Sequence, residues 1–334
     1  MIIAKAPLRI SIGGGGTDLA SYYSEFGSSF ISAAINKFIY IAVHKIFVPD
    51  IIIKYSHLER VQNVNDIQHP IIRECLKEAD IHSAIEISSF ADIPSGTGLG
   101  SSSSFTVALL KALFTHTGRF HSNLELAELA CDIEINRLGS PIGKQDQYIS
   151  AMGGITRFDI AKDGKVAAKP LNISTAARTD LEEHLLLFFT GYTRNANEIL
   201  SEQVEKTQAK SSTPNAKPGN DMIENLHFVK ELGQSIGHAL EKSDLNEFAR
   251  LMNVHWDHKK KRSAKMSNSS IDQWYDLAMK NGALGGKVIG AGGGGFLMFL
   301  ADDKRRLRKA MSDAGLVDVP FRFDQMGAQV ALRD

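Results

Sequence analysis

The sequence predicts an α+β chain of two domains, and three observations carry that prediction. Short β-branched runs crowd the first quarter, helical spacing dominates the middle, and the chain closes on a β-β-α-β-β pattern. Its 334 residues are a little over two domains at about 150 residues each. With 43% apolar residues such a chain buries a large core, which excludes disorder and a disulfide-stapled miniprotein.

Residues 2–4, 8–12, 29–35, 38–46 and 51–55 are rich in Ile, Val, Phe and Tyr and are parted by Gly, Asn or Pro-Asp, as strands are by turns. A helix near 70–79 and a strand over 84–89 follow. The loop 92–100 leads into 101–117, where Phe105, Val107, Ala108, Leu109, Leu110 and Leu113 point all round a helix, so that helix is buried on most sides. Ser122 and Glu125 form a capping-box pair opening the next helix, which runs to about Leu138, where Gly139 and Pro141 stop it. A strand over 154–159 closes this half. The texture changes past Asp163, which gives domains 1–163 and 164–334. The second opens with a strand at 185–190, and a Ser-, Pro- and Asn-rich segment over 210–220 reads as a loop. Ile223, Leu226, Leu232, Ile236 and Leu240 recur at helical spacing, and 245–266 and 271–281 add two helices. Strands at 286–289 and 296–301, a charged helix over 303–314 and strands near 319–323 and 328–332 form the ending.

The 38 basic and 38 acidic side chains cancel, which argues against a nucleic-acid partner while leaving room for a local basic cleft. Cys75 and Cys131 lie far apart with no CxxC, so neither a disulfide framework nor a thiolate metal site is indicated. The most apolar region, 30–53, is broken by Asn36, Lys37, His44, Lys45 and Asp50. A soluble cytoplasmic protein with no membrane partner is expected. His57, His69 and His255 have no spacing that calls for a metal.

Half of the 28 glycines gather in three loops, at 13–16, 96–100 and 285–295. In Ile93-Pro94-Ser95-Gly96-Thr97-Gly98-Leu99-Gly100-Ser101-Ser102-Ser103-Ser104 three alternating glycines join a strand to a buried helix. Such a loop turns its amides toward one point at the positive end of the helix and favours an anion. The spacing is G-x-G-x-G, one residue short of a dinucleotide loop, and no lysine follows as in a Walker A loop. A phosphate cradle of a third kind fits, against the alternative of a tight turn with a serine cap. The run Arg9-Ile10-Ser11-Ile12-Gly13-Gly14-Gly15-Gly16-Thr17-Asp18 ends in a hydroxyl and a carboxylate, suited to a hydroxyl-rich small molecule or, equally, to a flexible hairpin. The third run sits between apolar strands and reads as a close-approach loop.

Together these three motifs, in this order across essentially the whole chain, resemble those of the GHMP kinases, a superfamily of small-molecule kinases. The resemblance implies an N-terminal domain like the second domain of ribosomal protein S5, a ferredoxin-like C-terminal α/β sandwich, and ATP and substrate in the cleft between them. It implies that Pro94, Gly96, Gly98, Leu99, Gly100, Ser101, Ser102, Ser103 and Ser104 bind the triphosphate, and that Ser102 and Glu134 ligate Mg²⁺. Taken alone, Glu134 reads as a surface helix carboxylate. The resemblance further implies that Asp146 is the catalytic aspartate with Arg9 beside it, and that Thr17 and Asp18, with Gly14, Gly15 and Gly16, hold the sugar. Gly292 and Gly293 are expected to complete the substrate site. The Glu-His that precedes the Thr-Asp pair in galactokinases is replaced by Gly15 and Gly16, which argues against galactose.

Within the superfamily the first glycine run, Ser101 to Phe105 and Gly143-Lys144-Gln145-Asp146-Gln147-Tyr148 look most like D-glycero-D-manno-heptose 7-phosphate kinases. These phosphorylate the anomeric C1 hydroxyl to the 1,7-bisphosphate, toward nucleotide-activated heptose for bacterial surface polysaccharide. The acceptor's own phosphate then needs a basic anchor. Candidates are Lys144, Arg194 and the stretch His255-Trp256-Asp257-His258-Lys259-Lys260-Lys261-Arg262, which reads equally as a solvated helix face. The alternatives are another sugar 1-kinase, galactokinase- or fucokinase-like, and a sugar-sensing kinase homologue. A sensor would be expected to lose Arg9, Glu134 or Asp146, and all three are present.

Overall fold

Lys5, Ala6 and Pro7 stay in the ladder of β1 (Ile2–Gly13), so one long strand replaces the two expected, and a register shift after Pro7 accommodates its missing N–H. The computed structural model describes residues 1–192, 196–208 and 218–334. After α1 (Ala20–Phe26) comes β2 (Ser28–Lys45), which likewise fuses two expected strands. Next are β3 (Ile51–Lys54), β4 (Leu58–Val61), α2 (Pro70–Glu78), β5 (Ile85–Ala91) and the buried helix α3 (Ser101–His116). The capping box of Ser122 and Glu125 forms at the head of α4 (Asn123–Cys131), which passes into a π-helical turn over Asp132–Arg137. The half closes with α5 (Gln145–Met152), β6 (Ile155–Ile160) and β7 (Val166–Pro170).

Then come α6 (Thr175–His184), β8 (Leu185–Phe189), α7 (Ala196–Gln208), α8 (Pro218–Glu241), α9 (Leu245–Lys260) and α10 (Ser269–Lys280). The ending is β9 (Ala283–Val288), β10 (Phe296–Ala301), α11 (Lys304–Asp313), β11 (Val317–Asp318) and β12 (Gln329–Arg333). Most of the loop expected at 210–220 lies outside the described residues, and the chain is helical from Pro218. The strand expected near 319–323 is reduced to β11 and one isolated bridge from Phe323 to Ile35. The elements not foreseen, α1, β4, α5, β7 and α6, are short or polar, with too few apolar repeats to show a period.

One sheet runs β12-β1-β2-β5-β3-β4, with β6 on β2 and β7 on β6. Its neighbours are antiparallel except β3 and β5. The second sheet runs β11-β8-β10-β9, all antiparallel. Two strands cross the 163/164 division: β7 extends the first sheet, and β12 returns to its edge beside β1. Helix α3 packs on β1 and β2, and so does α8 from the second half. Gly233 of α8 meets the backbone of Gly13 and Gly14, so the helix lies directly against the first glycine run. A continuous apolar core joins both halves, and a second cluster around Trp256, Phe188 and Phe299 fills the smaller sheet. No helix among the described residues is long and apolar enough to cross a membrane.

Candidate active site

Between the halves lies a cleft of about 900 Å³. Its floor is the N-terminus of α3. Gly100, at the N-cap, is left-handed (φ 79°), and no side chain caps the helix, so the first-turn amides are open to a ligand. Ser95, Gly96, Gly98, Gly100, Ser101, Ser102 and Ser103 line the cleft, and the buried Ser101 hydroxyl has no protein partner. Pro94, Leu99 and Ser104 shape the loop from behind. The Pro94 carbonyl accepts from Thr97 Oγ1 at 3.1 Å, the Leu99 carbonyl accepts from the Arg9 amide at 3.0 Å, and Ser104 donates to the Pro7 carbonyl at 2.9 Å.

Asp146 enters from the first turn of α5. Arg9, on β1 and only 7% exposed, holds it in a two-point pair, Nε to Oδ1 at 2.6 Å and Nη2 to Oδ2 at 2.7 Å. The remaining guanidinium nitrogen donates to the Gly98 carbonyl. Gly100 is left-handed and a Cβ on it would stand 3.1 Å from Asp146 Oδ2, so glycine is favoured where the loop lies against the pair. The carboxylate and the loop are therefore hydrogen-bonded to one guanidinium.

Glu134 sits in the π-helical turn, a local insertion often found at functional sites. It is buried, not on the surface as its sequence context alone suggests. It accepts from Ser103 Oγ at 2.7 Å, Gln147 Nε2 at 2.6 Å and Thr106 Oγ1, and Ser102 Oγ lies 3.4 Å away. Neighbouring ligands on a Mg²⁺ ion with bonds of 2.0–2.1 Å stand about 3 Å apart, so Ser102 and Glu134 are spaced and typed for that ion. Burial raises the Glu134 carboxyl above its ordinary value despite these donors, and the Asp146 charge adds to the rise. The native state therefore binds the proton more tightly than the unfolded chain does. The contribution to stability is present below the ordinary carboxylate range and is lost as pH rises through the native value. Glu134→Gln is accordingly expected to raise Tm at pH 7–8 while lowering turnover. Thermal unfolding from pH 5 to 8 checks this, because the advantage of the variant over wild type must grow with pH. Parallel curves would show that the charge is not strained.

At the opposite wall Gly15, Gly16 and Asp18 line the cleft, whereas Gly14 and Thr17 face inward, Thr17 Oγ1 donating to the Gly14 carbonyl at 2.8 Å. Asp18 accepts from the amides of Gly16 at 3.1 Å and Gln145 at 3.2 Å, and burial followed by the nearby Asp146 raises its pKa. From the third glycine run Gly290 and Ala291 reach the cleft. Gly292 and Gly293 do not, because they turn onto Met266, whose carbonyl accepts from the Gly293 amide at 2.6 Å. Lys144 is also outside the cleft, since its amine donates to the Gly164 carbonyl at 2.6 Å over the Tyr23 ring. Arg194 lies outside the described residues.

The basic stretch at 255–262 divides. Asp257 and Lys261 face solvent, while His255, Lys259 and Arg262 are buried and line the cleft. They meet Lys287 of β9, a residue sequence reasoning passed over, whose amine donates to the Ile12 carbonyl at 2.6 Å and stands 3.0 Å from His255 Nδ1. A lysine between Gly286 and Val288 on an otherwise buried strand was the available signal. The far end of the cleft is apolar and aromatic, lined by Ile39, Tyr55, His69, Ile71 and Phe90. His69 also caps α2 and stacks on Phe105 at 5.2 Å. These residues come from four separate segments and share no motif.

Residues 67–154 match the N-terminal domain of the GHMP kinases, and residues 238–315 match their C-terminal domain. The chain is 29% identical, over 98% of both chains, to the D-glycero-alpha-D-manno-heptose 7-phosphate kinase of Campylobacter jejuni. The crystal structure of a D-glycero-D-manno-heptose 1-phosphate kinase from Bacteroides thetaiotaomicron superposes over the whole of both chains with a TM-score of 0.81 at 26% identity. Lactococcus lactis galactokinase, complexed with galactose, shares the fold, with a TM-score of 0.76 at 18% identity over 99% of this chain and 94% of that one. The first matched domain holds the glycine loop before α3, Glu134 and Asp146, and the second holds Arg262, Lys287 and the third glycine loop; the chain belongs to the GHMP kinases, ATP-dependent phosphotransferases.

Proposed function

We propose that the protein transfers the γ-phosphoryl group of ATP to the anomeric C1 hydroxyl of D-glycero-D-manno-heptose 7-phosphate, giving the 1,7-bisphosphate and ADP. The observation that carries this reading is the Arg9–Asp146 pair, set in one cleft between the anion cradle of α3 and the Gly15–Asp18 wall. Phosphoryl transfer through a loose transition state asks mainly for positioning and for neutralisation of spreading charge. The α3 amides and serine hydroxyls receive the phosphate oxygens, and the apolar end of the cleft receives the adenine. Asp146 accepts a hydrogen bond from the acceptor hydroxyl and takes its proton late, since a carboxylate is a weak base for an alcohol. Arg9 stabilises the oxygen as it gains negative charge. Ser102 and Glu134 would hold Mg²⁺, which would supply positive charge to the phosphates. The sugar hydroxyls bond to Asp18 and to the backbone of Gly15 and Gly16.

The relatives' names support a heptose phosphate as the acceptor, though one is named for the 7-phosphate and the other for the 1-phosphate. Residues 1–163 with β7 and β12 would form the nucleotide-holding domain, and the rest of 164–334 the domain that closes over the acceptor. A cytoplasmic location, where ATP is supplied, and a role in surface polysaccharide synthesis go with this reading.

The test is ADP release with Mg-ATP against the heptose 7-phosphate, the heptose 1-phosphate, the free heptose, galactose and fucose, with ³¹P spectra of the products. Turnover is expected with the 7-phosphate together with a new anomeric phosphate signal. Turnover confined to a free sugar would replace this reading by a sugar 1-kinase, and no turnover on any acceptor would favour a sensor.

A further inference from the structure

We propose that Arg262, Lys287 and His255 form a buried anion site that receives the phosphate the acceptor already carries. The proposal rests on the reading that the acceptor is a phosphorylated sugar. Arg262 is 4% exposed, and its guanidinium is pinned on two sides: Nε donates to Asn225 Oδ1 at 3.0 Å, and Nη1 donates to the Gly15 carbonyl at 2.9 Å. The third nitrogen, Nη2, is buried without a protein partner, and so is His255 Nε2; both residues line the cleft. Among the described residues neither Arg262 nor Lys287 forms an ion pair, although both are buried.

Burying cations without an ion pair is unfavourable even with the Asp18 charge near Arg262, and an unsatisfied buried donor adds to the penalty. The groups register the strain. Burial pulls Lys287 down to about 7, helped by the charges of Arg262 and Arg9, and burial pulls Arg262 down to about 10 against the opposing pull of Asp18. A phosphate dianion brings the missing charge and enough acceptor oxygens for both orphaned donors. The site also belongs to the acceptor wall and not to the nucleotide cradle. Arg262 is tied to Gly15 and Lys287 to Ile12, both on the segment leading to Asp18, while Arg9 is tied to Gly98 of the loop before α3.

Arg262→Gln and Lys287→Met test the site with the phosphorylated and the unphosphorylated heptose in parallel. KM for the phosphorylated acceptor is expected to rise about 10–100-fold more than KM for the free sugar, with KM for ATP changed by less than about threefold. Arg262→Lys is expected to recover part of the loss. Equal losses on both acceptors would overturn the proposal, since the cations would then serve the transferred phosphoryl group or the fold. A second arm needs no sugar: inorganic phosphate is expected to raise Tm more for wild type than for Arg262→Gln. If that difference holds but no heptose 7-phosphate is turned over, the anion site stands and the heptose reading falls. If the heptose 7-phosphate is turned over and the phosphate effect is identical in the two proteins, the anion site falls alone. Should Lys287→Met fail to fold, the Arg262 variants carry both arms.

Discussion

Asp146→Asn is expected to lower kcat by about 10²–10⁴-fold with little change in ATP binding, the range a positioned carboxylate contributes. The amide keeps the shape and loses both the proton acceptor and the charge that faces Arg9. ADP release gives kcat, and nucleotide titration monitored separately gives ATP affinity. Turnover near that of wild type would remove Asp146 from the chemistry. A second variant separates two meanings of a loss. Because Arg9 is buried against Asp146 through two hydrogen bonds, the asparagine leaves an uncompensated cation. If Asp146 serves only as its counter-ion, Arg9→Met combined with Asp146→Asn should be no slower than Arg9→Met alone. If Asp146 acts on the acceptor, the double variant should be slower than Arg9→Met alone, while its Tm recovers relative to Asp146→Asn.

The second large effect is expected at Gly290, where the two halves touch. Its φ is 74°, a conformation that costs an L-residue roughly 1–2 kcal/mol. A Cβ there would stand 2.6 Å from both the Cα and the carbonyl oxygen of Gly98, backbone atoms that cannot swing aside. Gly290→Ala must therefore push the third glycine loop off the anion loop, and the Arg9 bond to the Gly98 carbonyl goes with it. KM for ATP is expected to rise at least about tenfold and Tm to fall by several degrees, overpacking adding about 1–3 kcal/mol to the backbone strain. Unfolding curves with and without nucleotide check both parts. A normal KM for ATP would show that the contact between the loops is dispensable.

These two positions show how unevenly the site could be read from the chain. The glycine loop before α3 was legible because its conformation is local: alternating glycines, a strand before and a buried helix after set the direction of the amides without help from elsewhere. The capping box at Ser122 and Glu125 and the apolar ring of α3 were legible for the same reason. Asp146, Arg9 and Glu134 were singled out by resemblance in motif, since nothing in their immediate neighbours marks them. Glu134 in particular reads as a solvated carboxylate until Ser103, Thr106 and Gln147 are seen around it.

The strands were found and their lengths were not. β1 and β2 run through residues that break alternation, because each is held by neighbours on both sides, and pairing overrides local preference. The same holds for charge. A net charge of zero leaves room for a basic cleft but cannot say where it lies. Lys144 and Arg262 look alike in the chain; one folds back on Gly164, and the other, just past the end of α9, lines the cleft beside Gly15. Backbone direction at a turn or a helix end depends on the few residues beside it, and those the chain displays in order. The strength of a charge depends on how much water is removed from it and on which groups from distant segments share its pocket. Residues 9, 18, 262 and 287 acquire their chemistry together, and only when packing brings four remote segments to one cleft.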